Sequence, residues 1–208
     1  MSKFLKDYIN KDHSFSRITM FGIFCLLIFI GGLFGFIYEY IFYYFDGGME
    51  KFYWQGGNFL PWINIYAIGT ILVYILTYKK RKSFFKVFLI GLIACGLLEY
   101  FSGLFIYIIG NGTRYWDYNT EILNFGNIGG FICLRSVLFF GISSLLLIYI
   151  IVPFCFYLAK KINKKTFLII SISLCSIVLI DELYNLVLYK ILNLPSANEI
   201  YFSIGIKK

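Results

Sequence analysis

The sequence predicts an all-α fold, a polytopic integral membrane helix bundle with about five transmembrane helices. The first observation is composition, since 60% of the 208 residues are hydrophobic, 14% are charged and the mean hydropathy is +0.77. Soluble domains have about a quarter charged residues. The second is the presence of five apolar runs, each close to the ~20 residues that a helix needs to cross a bilayer.

The elements follow in a simple order. A polar, basic segment at 1–18 has Phe4, Leu5, Tyr8 and Ile9 at roughly helical spacing, which predicts an amphipathic helix on the membrane surface. The first apolar run is too long for a signal-peptide core, so we expect it to be retained. The predicted spans and tail are 19–45, 60–78 (with Pro61 near its start), 84–109, 131–158, 166–190 and the tail 191–208.

Basic residues set the expected orientation. Lysines and arginines are frequent before the first span, between the second and third, and between the fourth and fifth, and they are sparse in the two loops between. The positive-inside rule then predicts a cytoplasmic N-terminus in the cell membrane, two polar outer loops and a C-terminus outside. The basic tail is the one flank that departs from this alternation, which leaves a further partial crossing near Tyr201 open.

Composition also excludes several classes of function. The net charge of +8 comes from short clusters between apolar runs, which is typical of contact with membrane lipids and not of a nucleic-acid-binding face. The five cysteines show no CxxC spacing and there is one histidine, so we expect no metal and no cofactor. The sequence contains no GxxxxGK[ST] motif, so it does not bind ATP by that route.

Ionisable residues inside predicted spans are the candidate functional groups, because a charge in hydrocarbon is costly. Glu39, Glu99, Asp181, Glu182 and Arg135 all fall in the outer half of their spans at ~1.5 Å per residue. We therefore expect one outward-opening polar pocket. The candidate ligand-binding residues are Glu39, Glu99, Trp116, Asp117, Tyr118, Asn124, Arg135 and, in the first outer loop, Trp54.

Three alternatives to a binding pocket stay open. Arg135 could pair with Glu39 or Glu99 only to lock the helices together, and Asp181 and Glu182 could mark an interfacial helix end. Glu39, Glu99 and Asp117 could also serve as acid and base in a membrane-embedded enzyme acting on a lipid-like substrate. Small residues such as Gly35 and Gly96 share helix faces with the two glutamates, which predicts that both glutamates face protein.

Several motifs resemble one bacterial family. They are Tyr38-Glu39-Tyr40, Leu97-Leu98-Glu99-Tyr100, Tyr115-Trp116-Asp117-Tyr118, Asn124, Ile132-Cys133-Leu134 and Phe140-Gly141. Through these motifs the sequence between about Phe21 and Pro153 resembles the ABC-transporter permease family labelled type IV, with Phe131 where that family has an arginine and Arg135 one helical turn later. Its first outer loop also lacks the family's arginine and its Pro-Ile-Tyr-Gly.

The resemblance implies a permease subunit served by a separate ATPase subunit. Both inner loops are short, so of the cytoplasmic elements only the N-terminal segment could offer such a partner a substantial contact. The two halves of the sequence also echo each other, which predicts a parallel two-helix repeat with Glu39 and Glu99 as equivalent residues. A homo-oligomer and a purely structural or regulatory membrane subunit remain open alternatives.

Overall fold

The computed structural model describes residues 3–46, 58–189 and 191–205, and the side chains of Lys3, Phe4 and Leu186 are outside this description. These residues form an all-α protein. The helices, in chain order, are α1 (Lys3–Asn10), α2 (Arg17–Asp46), α3 (Asn64–Thr77), α4 (Phe84–Ile109), α5 (Leu134–Leu146), α6 (Val152–Lys161), α7 (Lys164–Leu183) and α8 (Ala197–Ser203).

Four of the described helical segments are long and apolar enough to cross a membrane. They are Arg17–Asp46, Phe84–Ile109, Leu134–Lys161 and Lys164–Tyr189. The third combines α5 and α6 through a π-helical turn, Leu147–Ile151, and the fourth extends α7 through a second π-helical turn, Tyr184–Tyr189. The π turn before α6 precedes Pro153, whose ring and missing N–H disturb the α-helical hydrogen-bond ladder.

The predicted second span is shorter than expected. α3 has 14 residues, about 21 Å of helix against a hydrocarbon core of ~30 Å. A 3₁₀ turn, Tyr78–Lys80, extends its end. Its start is delayed because Ile63 N donates to Gly32 O at 3.1 Å and Trp62 N donates to Leu60 O at 2.7 Å. These bonds hold the residues around Pro61 in a non-helical loop.

The first of two compact units contains Met1–Phe15 and Gly69–Tyr157. Its main contact is the packing of α4 along α5. Glycines make this approach close, since a Cβ on Gly91 would lie 1.9 Å from Ser144 Oγ and one on Gly141 would lie 2.5 Å from the Phe88 ring. Small residues at helix contacts are the usual means of close packing in membranes.

The second unit contains Ser16–Ile68 and Leu158–Lys208. Here α2 packs along α7, and a Cβ on Gly32 would lie 2.1 Å from the Trp62 indole. The predicted parallel repeat would make α2 and α3 equivalent to α4 and α5. The main partner of α4 is α5, whereas the main partner of α2 is α7, so the helix pairing does not establish the repeat and it stays a prediction. The sequence reading also missed α8 in the tail, although Ser196 and Glu199 form a capping box at its start.

Candidate functional site

Glu99 is the centre of the candidate site in the first unit. It lies on α4, ten residues before Ile109 and so about 15 Å from that helix end. Only 8% of its surface is exposed. Tyr118 OH donates to its Oε1 at 2.7 Å, and the Ser136 hydroxyl lies 3.0 Å from its Oε2. Two hydroxyl groups from outside α4 thus bind this carboxylate, which confirms that Glu99 faces protein.

Ser136 reaches Glu99 because of the way α5 begins. Cys133 N donates to Ser136 Oγ at 3.3 Å, and Ser136 Oγ lies 3.0 Å from Cys133 O. The single hydroxyl proton of Ser136 therefore has two acceptors, the Cys133 carbonyl and the Glu99 carboxylate. The capping arrangement at the α5 N-terminus fixes this hydroxyl, and the sequence reading did not identify Ser136.

The loop between α4 and α5, residues 110–133, places Tyr118 over the helices. Trp116 Nε1 donates to Phe131 O at 3.1 Å, and Tyr118 N donates to Gly130 O at 3.0 Å. Asn124 Nδ2 donates to Tyr118 O at 2.9 Å. Trp116 and Asn124, both candidate ligand-binding residues, therefore make contacts that shape the loop around Tyr118.

Asp117 and Arg114 brace the same loop. Asp117 Oδ1 accepts from Asn119 N at 3.0 Å and lies 3.7 Å from Arg114 Nη1, which donates to Gly129 O at 2.9 Å. Gly130 lies against this group with φ +79°, and a Cβ there would come within 2.5 Å of all three side chains, those of Arg114, Asp117 and Asn119. Glycine is thus required at this position, both for its backbone angle and for space.

Arg135 has a partner that the sequence reading did not consider. Its Nη2 donates to Glu121 Oε2 at 2.5 Å, its Nη1 donates to Ile122 O at 3.0 Å, and its guanidinium lies 5.2 Å from the centre of the Tyr118 ring. Arg135 thus forms an ion pair with a loop acid. The prediction considered only acids in the spans as partners of Arg135, although Glu121 is the only charged residue between Asp117 and Arg135.

These contacts alter the acidity of the Tyr118 phenol. Burial, and then the nearby charge and hydrogen bond of Glu99, hold the pKa of Tyr118 well above its usual value. The phenol therefore keeps its proton at neutral pH and remains a donor to Glu99.

The second unit has a separate polar cluster. Asp181 on α7 accepts hydrogen bonds from Phe59 N at 3.0 Å and Leu60 N at 2.7 Å. Glu182 Oε1 accepts from Asn64 Nδ2 at 2.9 Å, and Asn185 Nδ2 donates to Asn58 Oδ1 at 2.8 Å. Tyr201 OH of α8 also donates to Phe59 O at 2.6 Å. The two acids therefore bind the loop that precedes α3.

The remaining candidates lie elsewhere. Glu39 is half-buried on α2 and belongs to the second unit, whereas Glu99 and Arg135 belong to the first. Trp54 lies outside the described residues. Within 3–46, 58–189 and 191–205, no group of three or more His, Cys, Asp or Glu residues is arranged to hold a metal ion.

A buried arginine at the α3–α4 turn was also missed, because the sequence reading treated the basic run at 79–82 as a topology signal. Arg81 is only 4% exposed. Its Nε donates to Tyr8 O at 2.9 Å and its Nη2 donates to Lys11 O at 2.8 Å. Its guanidinium also stacks 4.2 Å from the centre of the Tyr78 ring. A cation at the C-terminal carbonyls of α1 is favourable, so Arg81 fixes α1 to the first unit.

Comparison with known protein families gives a match. The family model described as "Putative ABC-transporter type IV" matches residues 26–186, which extend from α2 into the π-helical turn that follows α7. No curated protein matches the chain. No solved structure matches it.

Proposed function

The chain belongs to the family described as "Putative ABC-transporter type IV", and from this premise we propose that it is the membrane subunit of a transporter driven by an ATPase outside these 208 residues. The four long apolar helices in the described part of the chain agree with a membrane protein of a transport family. The proposal assigns the nucleotide to another polypeptide or segment because the sequence lacks the GxxxxGK[ST] motif.

We infer that Glu99 is the group that binds the transported solute. The observation that supports this is a buried carboxylate reached by two neutral hydroxyls, one of them, Tyr118, on a loop and not on a helix. A solute that presents an ammonium or hydroxyl donor would replace Tyr118 at Oε1. Displacement of the loop would then expose Glu99 to water at the outer face of the membrane, which is how the predicted outward-opening pocket would form.

The other loop residues would control that displacement. Arg135 and Glu121 attach the loop to α5, and Asp117 with Arg114 keeps its shape. Because ion pairs and hydrogen bonds of this kind are individually modest, the loop can detach from Glu99 without unfolding of α4 and α5. Trp116 and Asn124 remain candidates for contact with the solute once the loop moves.

Ligand-dependent melting of the purified protein tests the binding site. Wild type is screened in detergent with monovalent cations, polyamines, amino acids and sugars, and then compared with Glu99→Gln and a matched control, Glu182→Gln. A ligand should raise the melting temperature of wild type and of Glu182→Gln but not of a folded Glu99→Gln. Equal ligand shifts in all three proteins would remove Glu99 from the binding site.

We propose that α1 is the element that contacts the ATPase and transmits its motion to the first unit. Arg81 binds its C-terminal carbonyls and Tyr8 is fully buried against Phe156, so a push on α1 would reach the first unit. The test is co-purification from native membranes in mild detergent, followed by assay of Mg-ATP hydrolysis. Hydrolysis should accompany wild type and should be lost with Arg81→Gln but not with Lys82→Gln, an exposed neighbour. Hydrolysis unaffected by Arg81→Gln would exclude this contact.

The orientation is a separate part of the proposal. We propose that the N-terminus is cytoplasmic and the C-terminus outside, from the distribution of basic residues. Fusions of alkaline phosphatase and of green fluorescent protein to the C-terminus test this. An active phosphatase with a dark fluorescent protein is expected, and the opposite result would place the C-terminus inside.

One observation favours a structural subunit instead. Trp116, Asp117 and Asn124 all bind other atoms of their own loop, as residues with an architectural role would. In that case Glu99→Gln would change only the stability of the protein, and no compound would shift the melting temperature of wild type.

A further inference from the structure

The second half of the α4–α5 loop exposes large apolar side chains. The sequence has no charged residue from Ile122 to Leu134. Within it, Ile122, Leu123, Phe125 and Ile128 all have about half or more of their surface exposed. We call these four residues the apolar edge. A loop that protrudes into water would be expected to expose polar side chains here, as the first half of the loop does with Asn119 and Thr120.

The backbone of the apolar edge adopts an unfavourable conformation. Leu123 has φ +54°, in the left-handed region, where a Cβ meets the following carbonyl oxygen. Gly126, Gly129 and Gly130, which follow, also have positive φ but have no Cβ. The Leu123 side chain is 61% exposed, so packing inside the protein does not offset the strain. An environment outside the chain that favours an apolar side chain would offset it.

The apolar edge is continuous with a membrane-facing surface. Leu134 N donates to Phe125 O at 3.1 Å, which holds the edge against the first residue of α5. Leu134, Leu138 and Ile142 lie four residues apart on α5 and are all exposed. On a spanning helix such a stripe faces lipid. The apolar edge therefore extends this stripe beyond the end of the helix.

We propose that the apolar edge is a membrane-anchoring surface whose partner is lipid at the boundary between head groups and acyl chains. Aromatic and aliphatic side chains on segments without charge are favoured at this depth. The loop would then have two attachments, because its polar residues bind Glu99 and Arg135 and its apolar edge inserts into the bilayer. This inference goes beyond the transport proposal, because it holds whether or not Glu99 binds a solute.

Depth-dependent fluorescence quenching tests the anchor. Leu123→Cys, Phe125→Cys and a matched control, Thr120→Cys in the polar half of the same loop, are each labelled with a thiol-reactive NBD dye. The wild-type protein, with its five cysteines, measures background labelling. The labelled proteins are placed in nanodiscs that contain lipids with a nitroxide near the head group, and iodide serves as the aqueous quencher.

We expect the dyes at 123 and 125 to emit at shorter wavelength, to lose most of their emission to the nitroxide lipid and to resist iodide, whereas the dye at 120 shows the reverse. Two sites are used so that either variant alone decides the outcome if the other does not fold. Quenching by iodide at 123 and 125 equal to that at 120 would overturn the proposal in favour of a water-exposed loop. Protection from both quenchers would overturn it in favour of a protein partner or a second copy of the chain.

Discussion

Removing the Tyr118 hydroxyl tests the geometry around Glu99 most directly. Tyr118→Phe deletes one 2.7 Å hydrogen bond between two buried side chains and leaves the ring in place. A hydrogen bond to a charged acceptor contributes about 1.5–3 kcal/mol, and a neutral pair contributes about 0.5–1.5 kcal/mol. For a chain of this size the charged case corresponds to a fall of about 3–12 °C in melting temperature.

The charge of Glu99 is isolated by a double-mutant cycle. Glu99→Gln keeps an acceptor for Tyr118 and a group that can bond Ser136, but it cannot carry a negative charge. Tyr118→Phe should therefore cost about 1 kcal/mol less in the Glu99→Gln background than in wild type. The measurement is thermal and denaturant unfolding of all four proteins in one detergent. Tyr115→Phe, on the exposed tyrosine of the same loop, should change stability by less than about 0.5 kcal/mol.

Two results would refute this reasoning. If Tyr118→Phe costs no more than Tyr115→Phe, the phenol does not bind a buried carboxylate in solution. If Tyr118→Phe costs the same in wild type and in Glu99→Gln, the interaction does not depend on the charge of Glu99. Either result would also remove the basis for assigning the solute to this carboxylate.

Four further predictions concern the Tyr118 phenol and three other contacts. Because folding raises the pKa of Tyr118, the unfolded chain loses the phenol proton at lower pH than the folded protein does. The free energy of unfolding should therefore fall more in wild type than in Tyr118→Phe between about pH 9 and 11, and an equal fall in both proteins would contradict the raised pKa. Arg81→Gln should make the N-terminal segment sensitive to limited proteolysis, since Gln cannot replace its several bonds, whereas Lys82→Gln should not. Cys25 on α2 and Cys175 on α7 are both buried, on two helices that pack along each other, so a short bifunctional thiol reagent should join them within one chain, and failure to do so would contradict this helix pairing. Gly91→Leu should lower the free energy of unfolding by about 1–3 kcal/mol or more, because Ser144 of α5 leaves no room for a side chain at this position. Thermal unfolding measures this, and a neutral effect would contradict the α4–α5 contact.

The α4–α5 loop shows where sequence reasoning succeeded in part. The sequence identified Tyr118 and Glu99 as members of one region, because a carboxyl in a span and a Trp-Asp-Tyr run in the adjoining loop are unusual in an apolar chain. It could not assign Arg135 to Glu121. Charges on a span and on a loop of 110–133 can meet in many ways, and only the path of the loop, fixed by backbone bonds such as Tyr118 N to Gly130 O, selects one of them.

What the sequence determined by itself is the all-α membrane fold and the family. The hydropathy of a segment of about 20 residues is a local property, and a bilayer allows a buried backbone few solutions other than a helix. Only the tertiary structure decided that α3 begins at Asn64, that α2 packs along α7, and that Arg81 is buried at the end of α1. These features depend on contacts between residues far apart in the chain, such as Gly32 with Ile63, which no local pattern of apolar and polar residues encodes.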